Sequence, residues 1–496
     1  MSDNNMRDWI ASNSGHTYAN YINGEWIDSI SGNTSPLYES AIPENVLGHF
    51  PSSVSEDVDT AVKSANAAFA LWKKTSATTR ASILYRFADL LEENEEELAY
   101  ILSAEQGKIL PESKGEVKRG ATEARFAAGE ALRVEGTIKP SENTEIKAEV
   151  VRSPIGVIAA IAPWNFPVVT PVRKIAPAIA YGCTVVLKPA SATPWSSVKL
   201  MELFEKAGLP KGVVNLVIGS GSKVGDPLVS HPLVKGVSFT GSTSLGLRIN
   251  EIAAKKLAKT QLEMGGKNAA LVLDYDNLVF AADQIVSAAF GVTGQRCTAI
   301  SRVIVLEEQS NRLIALLKEK MENIQVGPAW QVGVNMGPVI DKNQYESVAS
   351  YIETGKKEGA HLAYGGERLH INEKEGGFYL QPTLFTEVTK NMTIAKEEIF
   401  GPVLVVLEAK DVDDAVDIAN ATEYGLAASV FTNRLNIAHQ ISESIETGMV
   451  HINHGTASQA HVPFGGVKNS GCGAFSIGHS NIDFFTVMKA VYTKPY

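Results

Sequence analysis

Short apolar runs alternate with amphipathic segments through the middle of the chain. The runs are rich in β-branched residues and bounded by Gly or Pro, which predicts strands at 157–162, 184–187, 213–218 and 237–239. Apolar residues at helical spacing between them predict helices at 172–180, 196–207 and 223–229. Strand, helix and strand in this order predict a parallel sheet with helices on both faces.

A second set of the same kind follows. It predicts strands at 270–273, 303–306, 403–407, 428–431 and 449–452. Helices are predicted at 279–290, 309–324 and 412–419. Two α/β units in one chain usually leave a cleft between them, and ligands of open α/β sheets bind outside the carboxyl ends of the strands.

The remaining segments are simpler. The first 55 residues are polar and rich in turns, with Asn23-Gly24 as a local breaker. Ile83, Phe87, Leu90 and Leu91 share one helix face. Residues 145–154 alternate loosely and end at a proline, which is typical of an exposed strand. Residues 484–492 end in a similar alternating pattern, which suits edge pairing between subunits.

Composition and charge exclude several classes of protein. Hydrophobic residues make up 44% of the chain and charged residues 20%, which are globular values. The net charge of −10 argues against a nucleic-acid carrier or a polybasic membrane binder. Three cysteines in 496 residues cannot form a disulfide framework and indicate a reducing compartment. Without a signal-peptide pattern or a long uncharged apolar stretch, we expect a cytoplasmic protein with no membrane segment.

The first candidate for chemistry is Cys297, in the segment Gly291-Val-Thr-Gly-Gln-Arg-Cys297. Two glycines let the backbone turn sharply after a predicted helix. A cation such as Arg296 can lower the pKa of a neighbouring thiol, and the thiolate is the nucleophile. The alternative is a small buried apolar residue, which is what a cysteine usually is.

Two further segments carry groups that would assist such a nucleophile. Glu263 precedes a Gly-Gly pair and can act as a general base, or it is a surface carboxylate in a loop. Asn165 lies between two prolines at the end of the strand predicted at 157–162. Its uncharged amide can stabilise an oxyanion, although a turn asparagine among aromatic core residues fits equally well.

Signals of a dinucleotide site are individually weaker. Gly219-Ser-Gly221-Ser-Lys-Val-Gly225 follows a predicted strand and opens a helix, with one residue more than the usual fingerprint. Such a loop can approach a pyrophosphate, but a tight turn between strand and helix explains it equally well. Gly241-Ser242 follows the next strand, and Lys188 ends the strand predicted at 184–187.

Three histidines near the C-terminus suggest a metal site at first sight. His451 and His454 should face opposite sides of a strand, and no cysteine or carboxylate joins them and His461. We therefore expect these histidines to line a loop or tunnel, and we predict no metal site.

Taken together and in order, these motifs resemble those of the aldehyde dehydrogenase superfamily, from about residue 20 to the C-terminus. The motifs are Pro163-Trp-Asn-Phe-Pro167, Lys188, Gly241-Ser-Thr243, Glu263-Met-Gly-Gly-Lys267, Gly294-Gln-Arg-Cys297, Glu397-Glu-Ile-Phe-Gly-Pro402 and Pro463-Phe-Gly-Gly466. The resemblance implies an α/β fold with three parts. These are a Rossmann-like NAD(P)-binding domain (1–136 and 156–263), an α/β catalytic domain (264–474) and a small β oligomerisation arm (137–155 and 475–496).

The resemblance also implies a mechanism that oxidises an aldehyde to a carboxylic acid. Cys297 would attack the aldehyde to give a thiohemiacetal, with the oxyanion held by the Asn165 side chain and the Cys297 backbone N–H. Hydride would pass to the nicotinamide, leaving a thioester. Glu263 would then activate water to release the acid. A homodimer or homotetramer is expected, with a small-molecule aldehyde as substrate.

By the same resemblance, Lys188 and Glu398 would hold the ribose hydroxyls of the cofactor, and Phe400 would pack near the nicotinamide. The rest of the cofactor site would be formed by Trp164, Gly221, Gly225, Gly241, Ser242 and Gln344. Many NAD-preferring members carry a glutamate where this chain has Ser191. A carboxylate there would repel a 2′-phosphate, whereas serine can donate a hydrogen bond. We therefore predict that NADP is accepted along with NAD.

Several alternatives stay open on the sequence alone. A CoA-acylating semialdehyde dehydrogenase is disfavoured because Glu263 would hydrolyse the thioester. A non-phosphorylating glyceraldehyde-3-phosphate dehydrogenase or a semialdehyde dehydrogenase fits the segment around Cys297. A catalytically silent binding protein is a third possibility, which the intact Cys297, Glu263 and Asn165 argue against. No clear carboxylate clamp is visible, and Arg119 and Arg302 are the candidates.

Overall fold

The computed structural model of the chain describes residues 4–371 and 376–495. Residues 1–3, 372–375 and 496 fall within the predicted domain ranges but lie outside the described residues. The described chain forms two large, mainly parallel sheets covered by helices, together with smaller antiparallel sheets. This arrangement confirms the predicted α/β fold class.

The first large sheet has eight strands, and its five central strands are parallel. Antiparallel strands from distant parts of the chain extend it at both edges. In spatial order the strands are Gly471–Gly473, Lys259–Glu263, Val234–Thr240, Val157–Ile161, Thr184–Lys188, Val214–Leu216, Asn20–Ile22 and Glu25–Ile27. The strand that ends at Glu263 was not predicted.

The second large sheet has seven strands, of which six are parallel. In spatial order they are His361–Tyr364, Thr383–Thr386, Val403–Ala409, Ile300–Leu306, Asn268–Val272, Ala427–Phe431 and Met449–Ile452. Every strand predicted in this half of the chain is present. Their nearly continuous burial is what a sheet covered on both faces requires.

A separate antiparallel sheet joins the two chain segments that were expected to form the arm. The tail strand Thr486–Thr493 pairs along its whole length with Lys147–Pro154, and Thr137–Lys139 completes the sheet. Ile138, Met488 and Tyr492 expose 71–73% of their surface on these strands.

Along the chain, most of the helices lie between strands that belong to the two large sheets. They are Asn4–Asn13, Ser55–Trp72, Ala77–Glu93, Glu95–Gln106, Leu110–Ala131, Val169–Ala180, Trp195–Lys206, Asp226–Ser230, Thr243–Ala254, Leu278–Phe290, Glu307–Glu322, Lys342–Lys357, Thr393–Lys396, Val412–Asn420, Leu435–Ser444 and Asn481–Phe485. The helix predicted at 223–229 is divided into a π-helical turn, Gly221–Gly225, and a short helix that begins with Asp226-Pro227. Proline is favoured in the first turn of a helix, which is consistent with a new helix that starts at Asp226-Pro227.

The first 55 residues contain more regular structure than their polar composition predicts. A helix at Asn4–Asn13 is followed by five short strands. Asn23 and Gly24 both have positive φ and join Asn20–Ile22 to Glu25–Ile27 as a two-residue hairpin. Three small sheets remain. One has three strands, His16–Thr17, Val46–Pro51 and Thr34–Tyr38. The other two have two strands each, Arg368–Leu369 with Tyr379–Leu380, and Tyr424–Gly425 with Val467–Lys468. No described helix is long and apolar enough to cross a bilayer.

Candidate active site

Glu263 is the last residue of a parallel strand in the first large sheet. Its carboxylate is 4% exposed, and each of its oxygens accepts a hydrogen bond. The Thr240 hydroxyl donates to Oε2 at 3.0 Å, and the Ser476 hydroxyl donates to Oε1. The alternative of a surface carboxylate in a loop is therefore wrong, because the strand delivers this side chain to the carboxyl end of the sheet.

Cys297 follows a sharp break after the helix Leu278–Phe290. Val292 and Thr293 adopt left-handed φ, and a Cβ at Gly294 would lie 2.3 Å from the carbonyl oxygen of Gly401. Val292 and Thr293 are β-branched and such residues rarely adopt left-handed φ, so contacts with the surrounding structure must hold this turn in its conformation. The Cys297 side chain is half-buried against Phe464, Leu426 and Ile477.

Burial raises the pKa of the Cys297 thiol to about 12, and the charges of Glu263 and Glu398 add to this. Arg173 and Arg296 act in the opposite direction but are outweighed. Arg296 lowers the pKa of this thiol as expected, but burial and the two carboxylates outweigh it. The Arg296 guanidinium donates to the carbonyl oxygen of Ala288, and the desolvation of the sulfur dominates.

Asn165 lies in the loop after the strand Val157–Ile161 and is buried. Its Nδ2 donates to the carbonyl oxygen of Gln295 at 2.9 Å, two residues before the thiol. One of its two N–H groups is used in this bond, and the second is available for an oxygen near Cys297. The loop is fixed from behind by Lys108, whose Nζ donates to the carbonyl oxygen of Asn165 at 2.7 Å.

Glycine-rich turns and Lys188 lie together at the carboxyl ends of the first sheet. Lys188 ends a strand beside Gly225, where a Cβ would lie 3.7 Å from the lysine Cδ. Burial lowers the pKa of Lys188 to about 8. The Ser191 hydroxyl donates to the carbonyl oxygen of Gly219 at 3.2 Å. Gly221 faces open space within 4 Å of its Cβ position.

A second group of predicted cofactor residues surrounds Phe400. Its ring meets Trp164 edge to face, with 5.3 Å between the ring centroids. Gln344 donates through Nε2 to the carbonyl oxygen of Phe400 at 2.8 Å. Glu398 accepts from the Gly266 N–H at 3.0 Å, and burial raises the pKa of this carboxyl to about 7.

These residues fit a nicotinamide dinucleotide. Ser242 is the N-cap of the helix Thr243–Ala254 and does not cap it with its side chain, so its hydroxyl and the first N–H groups of the helix can meet a pyrophosphate. Open space at Gly221 admits phosphate close to the backbone. Lys188 and Glu398 supply the donor and acceptor that ribose hydroxyls require.

Sequence reasoning missed three charged or polar neighbours of Glu263. Arg173 lies with Nη1 4.0 Å from Glu263 Oε2, and the Lys174 ammonium donates to the Thr240 hydroxyl at 2.8 Å. Ser476 is the third. Arg173-Lys174 within a predicted apolar helix was an available signal, because buried cations there need a reason.

The histidines take no part in a metal cluster, and the described residues contain no group of three or more metal-ligating side chains. His451 contacts the carbonyl oxygens of Ala428 and Ala457 through its two ring nitrogens. The expectation that His451 and His454 face opposite sides of a strand is wrong. The strand ends at Ile452, and the two rings meet with 5.1 Å between centroids.

The site combines a thiol, a carboxylate and an amide donor with residues that fit a nicotinamide dinucleotide. This combination is typical of one class of enzyme, the NAD(P)-dependent oxidoreductases that work through a covalent thioester. The model of the aldehyde dehydrogenase family matches residues 26–491. The chain belongs to that family, and the reaction class predicted from the sequence is confirmed.

Three similar proteins illustrate the relationship. An α-ketoglutaric semialdehyde dehydrogenase of Bacillus subtilis is 43% identical over 97% of this chain and 99% of its own length. The crystal structure of an NADP-dependent enzyme of E. coli is 36% identical, with a TM-score of 0.93 over 98% of this chain and 99% of that one. Betaine aldehyde dehydrogenase of Staphylococcus aureus, in complex with NAD⁺, is 32% identical, with a TM-score of 0.95 over 99% and 97%.

Proposed function

We propose that this protein oxidises a semialdehyde that carries a carboxylate to the corresponding dicarboxylate. The observation that carries this proposal is the position of Arg173. Its side chain is 9% exposed, its guanidinium lies 4.0 Å from Glu263, and its charge acts to lower the pKa of the Cys297 thiol. Arg173 donates to Glu123, and its positive charge also acts on the Cys297 sulfur, so an anionic substrate is favoured at this end of the site. The relative from Bacillus subtilis is named for α-ketoglutaric semialdehyde, whose chain ends in a carboxylate.

The charge balance around Arg173 supports this choice. Arg173 and Arg119 share one carboxylate, Glu123, at 2.8 Å each. Arg119 also donates to the carbonyl oxygen of Ser458 at 2.6 Å, in the loop whose Thr456 hydroxyl bonds to the residue after Cys297. Arg119, Arg173 and Lys174 face two carboxylates, Glu123 and Glu263, which leaves one positive charge for a substrate carboxylate.

Arg302, the other candidate clamp, does not support this role. It is buried, and its three nitrogens donate to the carbonyl oxygens of Lys267, Ile418 and Ala419 at 2.9–3.1 Å. Its hydrogen bonds tie the second sheet to the end of the helix Val412–Asn420 and to Lys267, just before the strand Asn268–Val272. Arg119 and Arg173 therefore remain as the residues that can recognise a carboxylate.

The chemistry follows from the protonation of the thiol. With its pKa near 12, Cys297 carries a proton at neutral pH and must lose it as the C–S bond forms. Glu263 accepts this proton, and Asn165 Nδ2 and the Cys297 backbone N–H stabilise the oxyanion. The nicotinamide of a cofactor held by residues such as Lys188 and Glu398 would supply the hydride acceptor. Glu263, having passed the thiol proton to solvent, removes a proton from water, which attacks the thioester. The C–S bond breaks, and the released Cys297 thiolate takes that proton back from Glu263.

The substrate proposal is tested with a pair of aldehydes that differ in one charge. We expect 4-oxobutanoate to exceed its methyl ester in kcat/KM by tenfold or more, since a charge-assisted hydrogen bond contributes about 1.5–3 kcal/mol. The ratio should fall towards one in an Arg173→Gln variant. Equal kcat/KM for the two aldehydes in the unaltered enzyme would refute the proposal. Preference for glyceraldehyde-3-phosphate in the same panel would favour the phosphate-substrate alternative.

For the cofactor we propose that NADP is used as well as NAD. Ser191 is exposed and uncharged, so it does not repel a 2′-phosphate as a carboxylate at this position would. Lys188 ends the strand just before it and is also not a like charge. An NADP kcat/KM more than about a hundredfold below that of NAD, about 2.7 kcal/mol in barrier, would contradict this. A Ser191→Glu variant should lose NADP activity while retaining NAD activity.

The predicted arm supports a proposal about assembly. Exposed Met488 and Tyr492 on the tail strand and Ile138 on the outer strand offer apolar surface at the edges of a small sheet. Such edges pair readily with another copy of the same chain. We expect a homodimer or homotetramer by light scattering, and a monomer at micromolar concentration would refute it.

A further inference from the structure

Ser476 is a buried serine whose hydroxyl contacts the carboxylate of Glu263. The side chain is 2% exposed, and its Oγ donates to Glu263 Oε1. A second acceptor, the carbonyl oxygen of Phe464, lies 3.3 Å from the same Oγ. The backbone groups of Ser476 and Phe464 pair in both directions at 2.8 Å, which fixes where this hydroxyl stands.

The two acceptors have a consequence for proton transfer. A serine hydroxyl has one hydrogen and can donate it to one acceptor at a time. When Glu263 is ionised, the charged carboxylate is the stronger acceptor. When Glu263 holds a proton, the hydroxyl can turn to the Phe464 carbonyl oxygen and remain hydrogen-bonded. Both protonation states are thus accommodated without a buried unpaired hydroxyl.

We propose that Ser476 is a positioning residue that fixes the carboxylate of Glu263 for water activation. This inference rests on the proposed function, in which Glu263 is the base that hydrolyses the thioester. Thr240 holds the other carboxylate oxygen, so Ser476 and Thr240 together set the plane of the carboxylate. The other ionisable groups that face Glu263 are Arg173, Lys174 and Cys297, and a Ser476 substitution leaves all three in place.

The experiment compares Ser476→Ala with Ser476→Thr, which restores the hydroxyl, using 4-oxobutanoate as substrate. In S476A we expect kcat to fall by about tenfold, because the carboxylate that activates water has lost one of the two hydrogen bonds that hold it. The fraction of acylated Cys297 at steady state, measured by intact-protein mass spectrometry, should rise as hydrolysis slows. S476T should return both readouts towards those of the unaltered enzyme.

Ser480→Ala is the matched control. The Ser480 hydroxyl lies 3.0 Å from the carbonyl oxygens of Phe475 and Ile477, in the same segment, and can donate to either of them. This variant disturbs the local backbone without touching Glu263, so its kcat and its fraction of acylated Cys297 should match those of the unaltered enzyme. If S476A does not fold, Ser476→Cys provides a weaker donor of similar size, and its kcat and acylated fraction should change in the same direction.

A Glu263→Gln variant separates the two ideas. If E263Q turns over normally, Glu263 is not the base and the proposed function fails. If E263Q accumulates acyl-enzyme while S476A and S476C keep the kcat and the acylated fraction of the unaltered enzyme, the role of Ser476 alone is overturned. A decrease in kcat of equal size in S480A would also overturn it, since the effect would then come from the backbone segment.

Discussion

Replacing Lys108 with methionine removes one half of a fully buried ion pair behind the Asn165 loop. The ammonium of Lys108 lies 2.5 Å from Glu116 Oε2 and 2.7 Å from the carbonyl oxygen of Asn165, and neither charged side chain is exposed. Glu116 Oε1 accepts from the N–H groups of Val168 and Val169 at 2.8 and 3.0 Å. The pair therefore joins two helices to the loop that presents Asn165.

The magnitude follows from what remains after the substitution. Removing one partner of a buried pair costs about 3–5 kcal/mol, because the other charge stays buried and unpaired. That is a large part of the 5–15 kcal/mol typical of folded domains. Full loss of the Asn165 donor would raise the activation free energy of kcat by about 2.7–4 kcal/mol. A loosened loop would cost only a fraction of this, so we expect kcat to decrease about tenfold.

Urea unfolding followed by fluorescence and kcat/KM with 4-oxobutanoate measure the two effects. Lys118→Met is the matched control, because Lys118 lies nearby in sequence but its exposed ammonium pairs with Glu95 at 3.4 Å. It should change stability by less than about 0.5 kcal/mol. A double variant with Glu116→Gln should recover most of the loss. A single Lys108→Met variant within about 1 kcal/mol of the parent, or a double variant no better than the single one, would refute this reasoning.

Three further predictions concern the site itself. Asn165→Ala should lower kcat by about 10²–10³ with little change in the urea midpoint, as for the loss of one oxyanion donor, and an unchanged kcat would exclude that role. Burial raises the pKa of Glu398 to about 7, so the carboxyl is protonated below that pH and accepts ribose hydroxyls poorly. The Kd for NAD(P), measured by fluorescence titration, should therefore rise as pH falls through about 7, and Glu398→Gln should remove this dependence. A Cβ at Gly265 would lie 2.1 Å from Glu398 Oε2, so Gly265→Ala should raise the KM for the cofactor severalfold, whereas an unchanged KM would show that Glu398 has no fixed place.

The sequence predicted the two parallel sheets because their strands are buried on both faces and read as continuous apolar runs. It missed Lys259–Glu263, since Lys-Thr-Gln-Leu-Glu contains a single apolar residue. The last three residues of that strand are nonetheless buried, because neighbouring strands lie on both sides and the helices Thr243–Ala254 and Asn481–Phe485 pack against it. Tertiary context overrides the local pattern at this position.

Cys297, Glu263 and Asn165 could be selected from the sequence because each lies beside glycine or proline in a recognisable order. Their roles remain predictions that the experiments above address. Ser476 could not be selected, because nothing local distinguishes a serine in a loop. Arg173 carried a signal in the pair Arg173-Lys174 within an apolar helix, but nothing in the sequence shows that the fold places it near Glu263. The direction of the Cys297 pKa shift was also out of reach. It depends on burial and on Glu398, a residue 101 positions along the chain from the thiol.

The edge strand Gly471–Gly473 gives the first sheet an unusual dependence on the order of synthesis. Gly471 pairs directly with Glu263, although nearly half of the chain lies between them, and the helix Asn481–Phe485 and the tail strand come later still. During synthesis the strand Lys259–Glu263 has no outer neighbour until residues 471–473 have emerged. A chain truncated before residue 471 would therefore keep Cys297 and Glu263 but lack both the edge strand and Ser476. With Glu263 in its proposed role, such a chain should hydrolyse the thioester slowly.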